Sequence, residues 1–327
     1  MHRRHDLASF IGIWATATAA LVQTASSAEG PAGAGAPSAV ATPDFSGIWT
    51  KPYLGWELPL SGPGPVTNKV RRRQIFDVDG RPWPAATAPL VNTASQLIGD
   101  YSNPILKPAA AAEVKRLGEN ELHGMPNASA RNQCWPEGVP AIFRDMTIAM
   151  LQQPDKITIL YDYDHEARRV RMNQQHPGEV TPTWYGDSVG HYEGDTLVID
   201  TVGIRVSPLT MVDNLGTPQS AAMHVVERYR LLDYAAARQG QIRGLQENFF
   251  IGGGGDSGVP LDPNYRGNGL QLQFTVEDDG VFTTPWSATI TYRRAIGAIG
   301  ESVCAENLRG TYVGKDSAIP QAGQPDF

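Results

Sequence analysis

Cysteine is scarce in this sequence: 327 residues carry two, Cys134 and Cys304. A structural zinc site wants three or four clustered ligands, so two lone thiols do not make one. Charge is also thin, at 19% Asp, Glu, Lys and Arg, and it leans acidic, with 27 Lys+Arg against 34 Asp+Glu and a formal net charge of −7. An acidic total speaks against a nucleic-acid partner, because phosphate contact needs a basic face. After residue 28 no apolar run approaches the roughly 18 residues of a spanning helix, so no stable membrane insertion is expected once a leader is removed. No His-Glu-x-x-His occurs, which leaves a zincin reading without support. Asp162, Asp164, His165 and Glu166 fit no EF-hand spacing, and Gly252-Gly253-Gly254-Gly255-Asp256 lacks the Gly-Lys-Ser/Thr of a phosphate loop. No metal and no cofactor is expected. What the chain has in excess is Gly (34) and Pro (25). That richness implies many turns and argues against a helical bundle.

The first 28 residues read as an export signal. Arg3 and Arg4 form the positive region, an apolar stretch runs over 7–22, and Ser26-Ser27-Ala28 offers a small-x-small cleavage site. The alternative is a membrane anchor, for which the run is short and rich in Ala and Thr. Residues 29–43 read as a flexible linker and 44–327 as a single β-rich domain. A periplasmic or secreted location follows. In that setting an even cysteine count favours a Cys134–Cys304 disulfide, and two buried thiols are the alternative.

β-branched and alternating segments dominate from residue 140 onward. They predict strands over 146–151, 157–163, 168–173, 196–202, 222–232, 243–250, 270–276 and 287–294. One good helix is expected over 108–117, opened by Pro108 and stopped by Gly118. Consecutive strands joined by short turns imply antiparallel pairing. The fold class is therefore mainly β: an antiparallel barrel or a two-sheet sandwich, with one or two short helices. Gly47-Ile48-Trp49 at the start and Arg293-Arg294 at the end of the last strand favour the barrel. Lipocalin-like barrels carry a similar Gly-x-Trp whose indole is covered by an arginine from the last strand, a cation–π plug at the closed end.

Longer motifs resemble a family. Pro43-Asp44-Phe45-Ser46-Gly47-Ile48-Trp49 is similar to the P-D-F-S-G-x-W opening of an uncharacterised group of exported bacterial β-rich proteins. Cys134-Trp135-Pro136-Glu137-Gly138-Val139-Pro140 resembles its C-x-P-x-G-x-P. The run from Trp184 to Thr201 resembles its W-x-G-x-S-x-G-x-W-E-G-D-T-L-V-x-D-T, with Tyr192 in place of a Trp. His224-Val225-Val226-Glu227-Arg228, Phe282-Thr283-Thr284-Pro285-Trp286 and Cys304-Ala305-Glu306-Asn307 resemble later signatures. The resemblance implies an exported β-rich domain and carries no catalytic assignment.

Chemistry-bearing residues gather in two stretches. In 174–191, His176 offers a near-neutral acid or base, Asp187 an orienting carboxylate, Tyr185 a proton donor, and Trp184 a stacking surface. The plain alternative is a loop tied down by hydrogen bonds. In 222–231, period 2 puts His224 and Arg228 on one face and Glu227 on the other, among core residues. His224 could move a proton and Arg228 hold a carboxylate or enolate oxygen, unless that face is simply solvated. Glu227, if buried, needs a partner. Trp56, Trp83, Trp184, Tyr185 and Trp286 would line an aromatic cup, with His176, Asp187, His224 and Arg228 lining part of it. The function expected from this set is cofactor-free acid–base catalysis on a small, largely apolar organic molecule, as a lyase or hydratase, isomerase or cyclase. A non-catalytic exported binding protein for an apolar ligand is the alternative, and a structural envelope domain with a filled barrel a third.

Overall fold

Alternation builds the wall. In Lys156–Tyr161, residues Ile157, Ile159 and Tyr161 are buried, while the residues between them are more exposed. The structure, a computed structural model, describes residues 42–93, 95–125, 127–164, 166–250 and 261–304. The expected signal (1–28), most of the linker, His165, the glycine run 252–256 and residues 305–307 lie outside the described residues. In chain order the strands are β1 (Gly47–Thr50), β2 (Arg71–Arg73), β3 (Leu90–Asn92), β4 (Thr147–Gln152), β5 (Lys156–Tyr161) and β6 (Ala167–Met172). They continue with β7 (Asp187–Glu193), β8 (Thr196–Val202), β9 (His224–Leu232), β10 (Gly269–Glu277) and β11 (Trp286–Arg294). Nine of them close into a barrel in the order β1-β11-β10-β9-β8-β7-β6-β5-β4, with β1 also paired to β4. β2 and β3 form a separate two-stranded ribbon.

The barrel expected from the sequence is thus present, with one departure. β6 and β7 run parallel, through Arg171↔Val189 and Met172↔Gly190. A parallel pair needs a connection long enough to carry the chain back to the other end. Residues 173–186 supply it.

Among the described residues two α-helices accompany the barrel, α1 (Pro108–Leu122) and α2 (Tyr234–Glu247). α1 begins where expected but runs through Gly118, which packs on Ile98 and does not stop the helix. α2 overturns the strand expected over 243–250. Asp233 caps it by accepting a hydrogen bond from the Ala236 N–H at 2.8 Å, and Ala235-Ala236-Ala237 follow as strong helix formers. Gly244 lets α2 sit close to the chain beside it, since a Cβ there would lie 2.3 Å from the Tyr53 ring. Among the described residues no helix is long and apolar enough to cross a membrane.

One barrel end is plugged as the Gly-x-Trp pattern suggests. Trp49 is buried and donates its indole N–H to the Phe45 carbonyl at 2.8 Å. The Arg294 guanidinium lies 4.0 Å from the ring centroid and donates to the Ser46 carbonyl at 2.9 Å. Gly47 makes room for it: its φ is +122°, and a Cβ there would fall 1.7 Å from Arg294 Nη1. Gly47→Ala is therefore expected to destabilise the fold by about 1–3 kcal/mol in urea titration, and an unchanged midpoint would contradict this account of the plug. Cys134 and Cys304 are disulfide-bonded.

Candidate functional site

The strands assemble three polar groupings. The first lies on the outer wall. β9 alternates so that Val225, Glu227 and Tyr229 are buried while His224, Val226 and Arg228 are partly exposed. On β8, Asp200 is partly exposed between buried Ile199 and Thr201. His176, in the connection between β6 and β7, reaches across to both neighbours. Its Nδ1 is 2.6 Å from Asp187 Oδ1 and its Nε2 is 3.0 Å from Asp200 Oδ1. His224 Nε2 is also 3.0 Å from Asp200 Oδ1, and its Nδ1 is 3.5 Å from Glu277 on β10. Arg171 donates to both oxygens of Asp187, at 2.7 and 2.9 Å. The hydrogen bond that His224 donates to Asp200 holds the imidazole above its ordinary pKa, and the same bond holds the Asp200 carboxyl below the usual carboxylate range. His176 therefore meets Asp187 directly and His224 only through their shared partner Asp200, and all of them lie on the outer wall, not in the expected cup. Arg228 does not join them: it pairs with Glu193 on the same wall. Among the described residues no group of three or more His, Cys, Asp or Glu is arranged to hold a metal ion.

The second grouping fills the barrel. Glu227 and Arg168 are both fully buried and form a two-point ion pair, at 2.5 Å to Oε1 and 2.9 Å to Oε2. Arg168 also donates to Ser188 and Thr201, and Tyr229 donates to Glu227 at 2.9 Å. Glu227 has the partner its burial demanded. Tyr161, Tyr229, Tyr292, Phe143 and Phe274 are also fully buried. Gly186-Asp187-Ser188-Val189-Gly190 has the spacing of a serine nucleophile elbow, which calls for a strained strand-to-helix turn exposing the hydroxyl. Ser188 instead sits within β7, buried and bonded to Arg168, so its hydroxyl is part of the core network.

The expected aromatic cup divides. Trp56 and Trp286 stack at 5.6 Å beside Phe274 at the barrel end opposite Trp49. Trp184 meets Trp135 edge-on at 5.6 Å and lies under Arg205. Trp83 is half-exposed and donates to the Thr87 carbonyl within its own turn. Tyr185 is half-buried against the core, and burial, followed by the charge of Glu166, pushes its phenol up.

The third grouping was not singled out in the sequence. It backs a narrow cleft of about 70 Å³ at the Trp56 end, whose lining includes Gly55, Trp56, Val66, Arg144, Asp213 and Leu215. Leu58, Pro65 and Thr67 continue the cleft into an open groove of about 590 Å³. Lys51 is 1% exposed and donates to the Gly55 carbonyl, in the cleft wall, at 2.7 Å. Burial pushes its ammonium down to about 7, against the pull of Asp145 and Glu57. Arg144 pairs with Glu137, and Arg131 bridges Glu137 at 2.5 Å and Asp145 at 2.7 Å. Burial raises the Asp145 carboxyl and pushes Glu166 up to about 8; Glu166 accepts from the Glu137 N–H at 2.8 Å. No period or spacing signals this set, because it comes from the end of β1, the segment before β4 and the turn between β5 and β6. Only Glu137, inside the C-x-P-x-G-x-P run, lies in a motif.

Comparison with protein-family models, with curated proteins and with solved structures returns no match. The motif resemblance rests on the motifs themselves.

Proposed function

We propose that this chain is an exported acid–base catalyst for a small, largely apolar carbonyl compound, and that its active site is the cleft at the Trp56 end. The observation that carries the reading is a fully buried Lys51, close to neutrality, bonded to the wall of that cleft. Acid–base catalysis is most efficient when the group's pKa lies near the working pH. The Lys51 amine would take a proton from the carbon next to the carbonyl. The electron pair would move to the oxygen, where Arg144 would stabilise the enolate. Returning the proton at another carbon gives isomerisation, and losing a β-hydroxyl as water gives dehydration. Leu58, Val66, Leu215 and Trp56 suit an apolar body. Neither imidazole fits the role better, since both nitrogens of each already face carboxylates. The leader-like residues 1–28 and the disulfide support export.

Deuterium uptake tests this directly. A panel of small ketones and enones is incubated with the protein in D₂O and read by mass spectrometry. At least one should exchange its α-hydrogens, with a rate that climbs as pH passes through about 7, where Lys51 loses its proton. Lys51→Met should slow the exchange by about 100-fold or more while circular dichroism stays native. A panel in which nothing exchanges faster with protein than without it would end the catalytic reading.

A second reading, carriage without turnover, is favoured by the stacked Trp56 and Trp286. Their indole N–H groups are buried with no hydrogen-bond partner among the described residues. It predicts saturable quenching of tryptophan fluorescence by the same ketones with no exchange.

A further inference from the structure

The outer-wall string has a geometry that only one protonation state satisfies. His176 places Nδ1 2.6 Å from Asp187 and Nε2 3.0 Å from Asp200. His224 places Nε2 against Asp200 and Nδ1 towards Glu277. A neutral imidazole has one N–H, so its other nitrogen would turn a lone pair toward a carboxylate oxygen. The imidazolium donates from both. Along the wall, Arg171, Asp187, His176, Asp200, His224 and Glu277 alternate in sign when both rings are charged. Three cations then face three anions. With both rings neutral, Arg171 alone faces three carboxylates, and the string carries two uncompensated negative charges.

Five of the six groups stand on barrel strands β6 to β10. The sixth, His176, stands on the 173–186 connection that joins the parallel pair. That connection carries two other ionisable groups, Glu179 and Tyr185. Further along the wall, Arg228 and His191 both engage Glu193.

We propose that this string is a pH-operated clasp on the 173–186 connection, fastened to the barrel wall while His224 is protonated and loosened as His224 loses its proton. It is independent of the cleft and of any chemistry there. Asp200 is the pivot, because it accepts from both rings. His224 is held above its ordinary value, so its contribution is complete below about pH 6.5 and fades as pH rises through the folded-state value. Asp200 is held below its ordinary value, so its contribution is present above about pH 4 and fades as pH falls through the folded-state value. The clasp is closed between these limits and opens on the alkaline side.

Hydrogen exchange read by mass spectrometry on the full chain tests it, at pH 5.5 and 8.5, with rates corrected for intrinsic chemical exchange. Peptides from 173–186 should lose about tenfold of their protection at the higher pH, while peptides from 270–276 hold theirs. In Asp200→Asn that difference should vanish, and in His224→Gln it should shrink. The proposal is overturned if the connection keeps the same corrected rate at both pH values. It is equally overturned if the pH difference survives whole in either variant; should Asp200→Asn fail to fold, His224→Gln decides alone.

Discussion

Glu227→Ala is expected to destabilise the barrel by about 3–5 kcal/mol, measured by urea or guanidinium denaturation. The cost is mostly that of what is left behind. Arg168 is fully buried, and both of its shortest charge contacts are to Glu227. Burial disfavours its charge, and Glu227 more than offsets that. Without the carboxylate, Ser188 and Thr201 can still accept hydrogen bonds from Arg168 but cannot balance a full charge. The Tyr229 hydroxyl would lose its acceptor as well. Replacing the pair together, Arg168→Met with Glu227→Leu, should recover most of the loss, because a matched apolar pair carries no desolvation cost. A single-variant loss below about 1 kcal/mol would mean that water reaches the network.

Removing the disulfide comes next in size. Cys134→Ser with Cys304→Ser should cost about 2–5 kcal/mol, visible as a large fall in Tm. The bond closes a loop with a sequence separation of 170, so it removes much freedom from the unfolded chain. Its folded surroundings add to the effect. The Cys304 N–H donates to Asp164 at 3.0 Å, tying the last described residues to the turn between β5 and β6. Arg131 stacks 3.6 Å over Tyr163 beside it and reaches Asp145 and Glu137 behind the cleft. Loss of the bond should therefore loosen the floor of the cleft before the rest of the barrel. A double serine variant as stable as the parent would contradict both arguments.

The strands could be read from the sequence wherever a buried face alternates with a wet one. Thr196–Val202 was legible to the residue, and 270–276 and 287–294 fell one or two residues short. β7 was hidden because Gly190 and Ser188 look like turn residues. They are small because β7 packs closely there: a Cβ on Gly190 would be 2.9 Å from Val170 Cγ1. The strand expected over 243–250 is mostly helix instead, because the Asp233 cap and Ala235-Ala236-Ala237 upstream start a helix that runs through Glu247. The inward turn of Glu227 and the partial exposure of His224 and Arg228 both followed from period 2. What the sequence could not give was which outward groups would meet. His176 reaches Asp200 only because the parallel crossover lays the connection across β7 and β8. Lys51, Asp145 and Glu166 are brought together by chain ends that share no local pattern, so tertiary contact alone could reveal them.

The four-residue β1 is bonded to β4 on one side and to β11 on the other, with Trp49 opposite Arg294. Among the described residues the first strand thus cannot finish its ladder until the last has been made. Contacts of such long sequence separation come late and slowly when a chain folds, since most of the loop entropy must be lost before they form. Until then β4 and β11 present bare hydrogen-bonding edges, the kind on which chains pair with one another. Closing the seam is therefore what removes both edges at once.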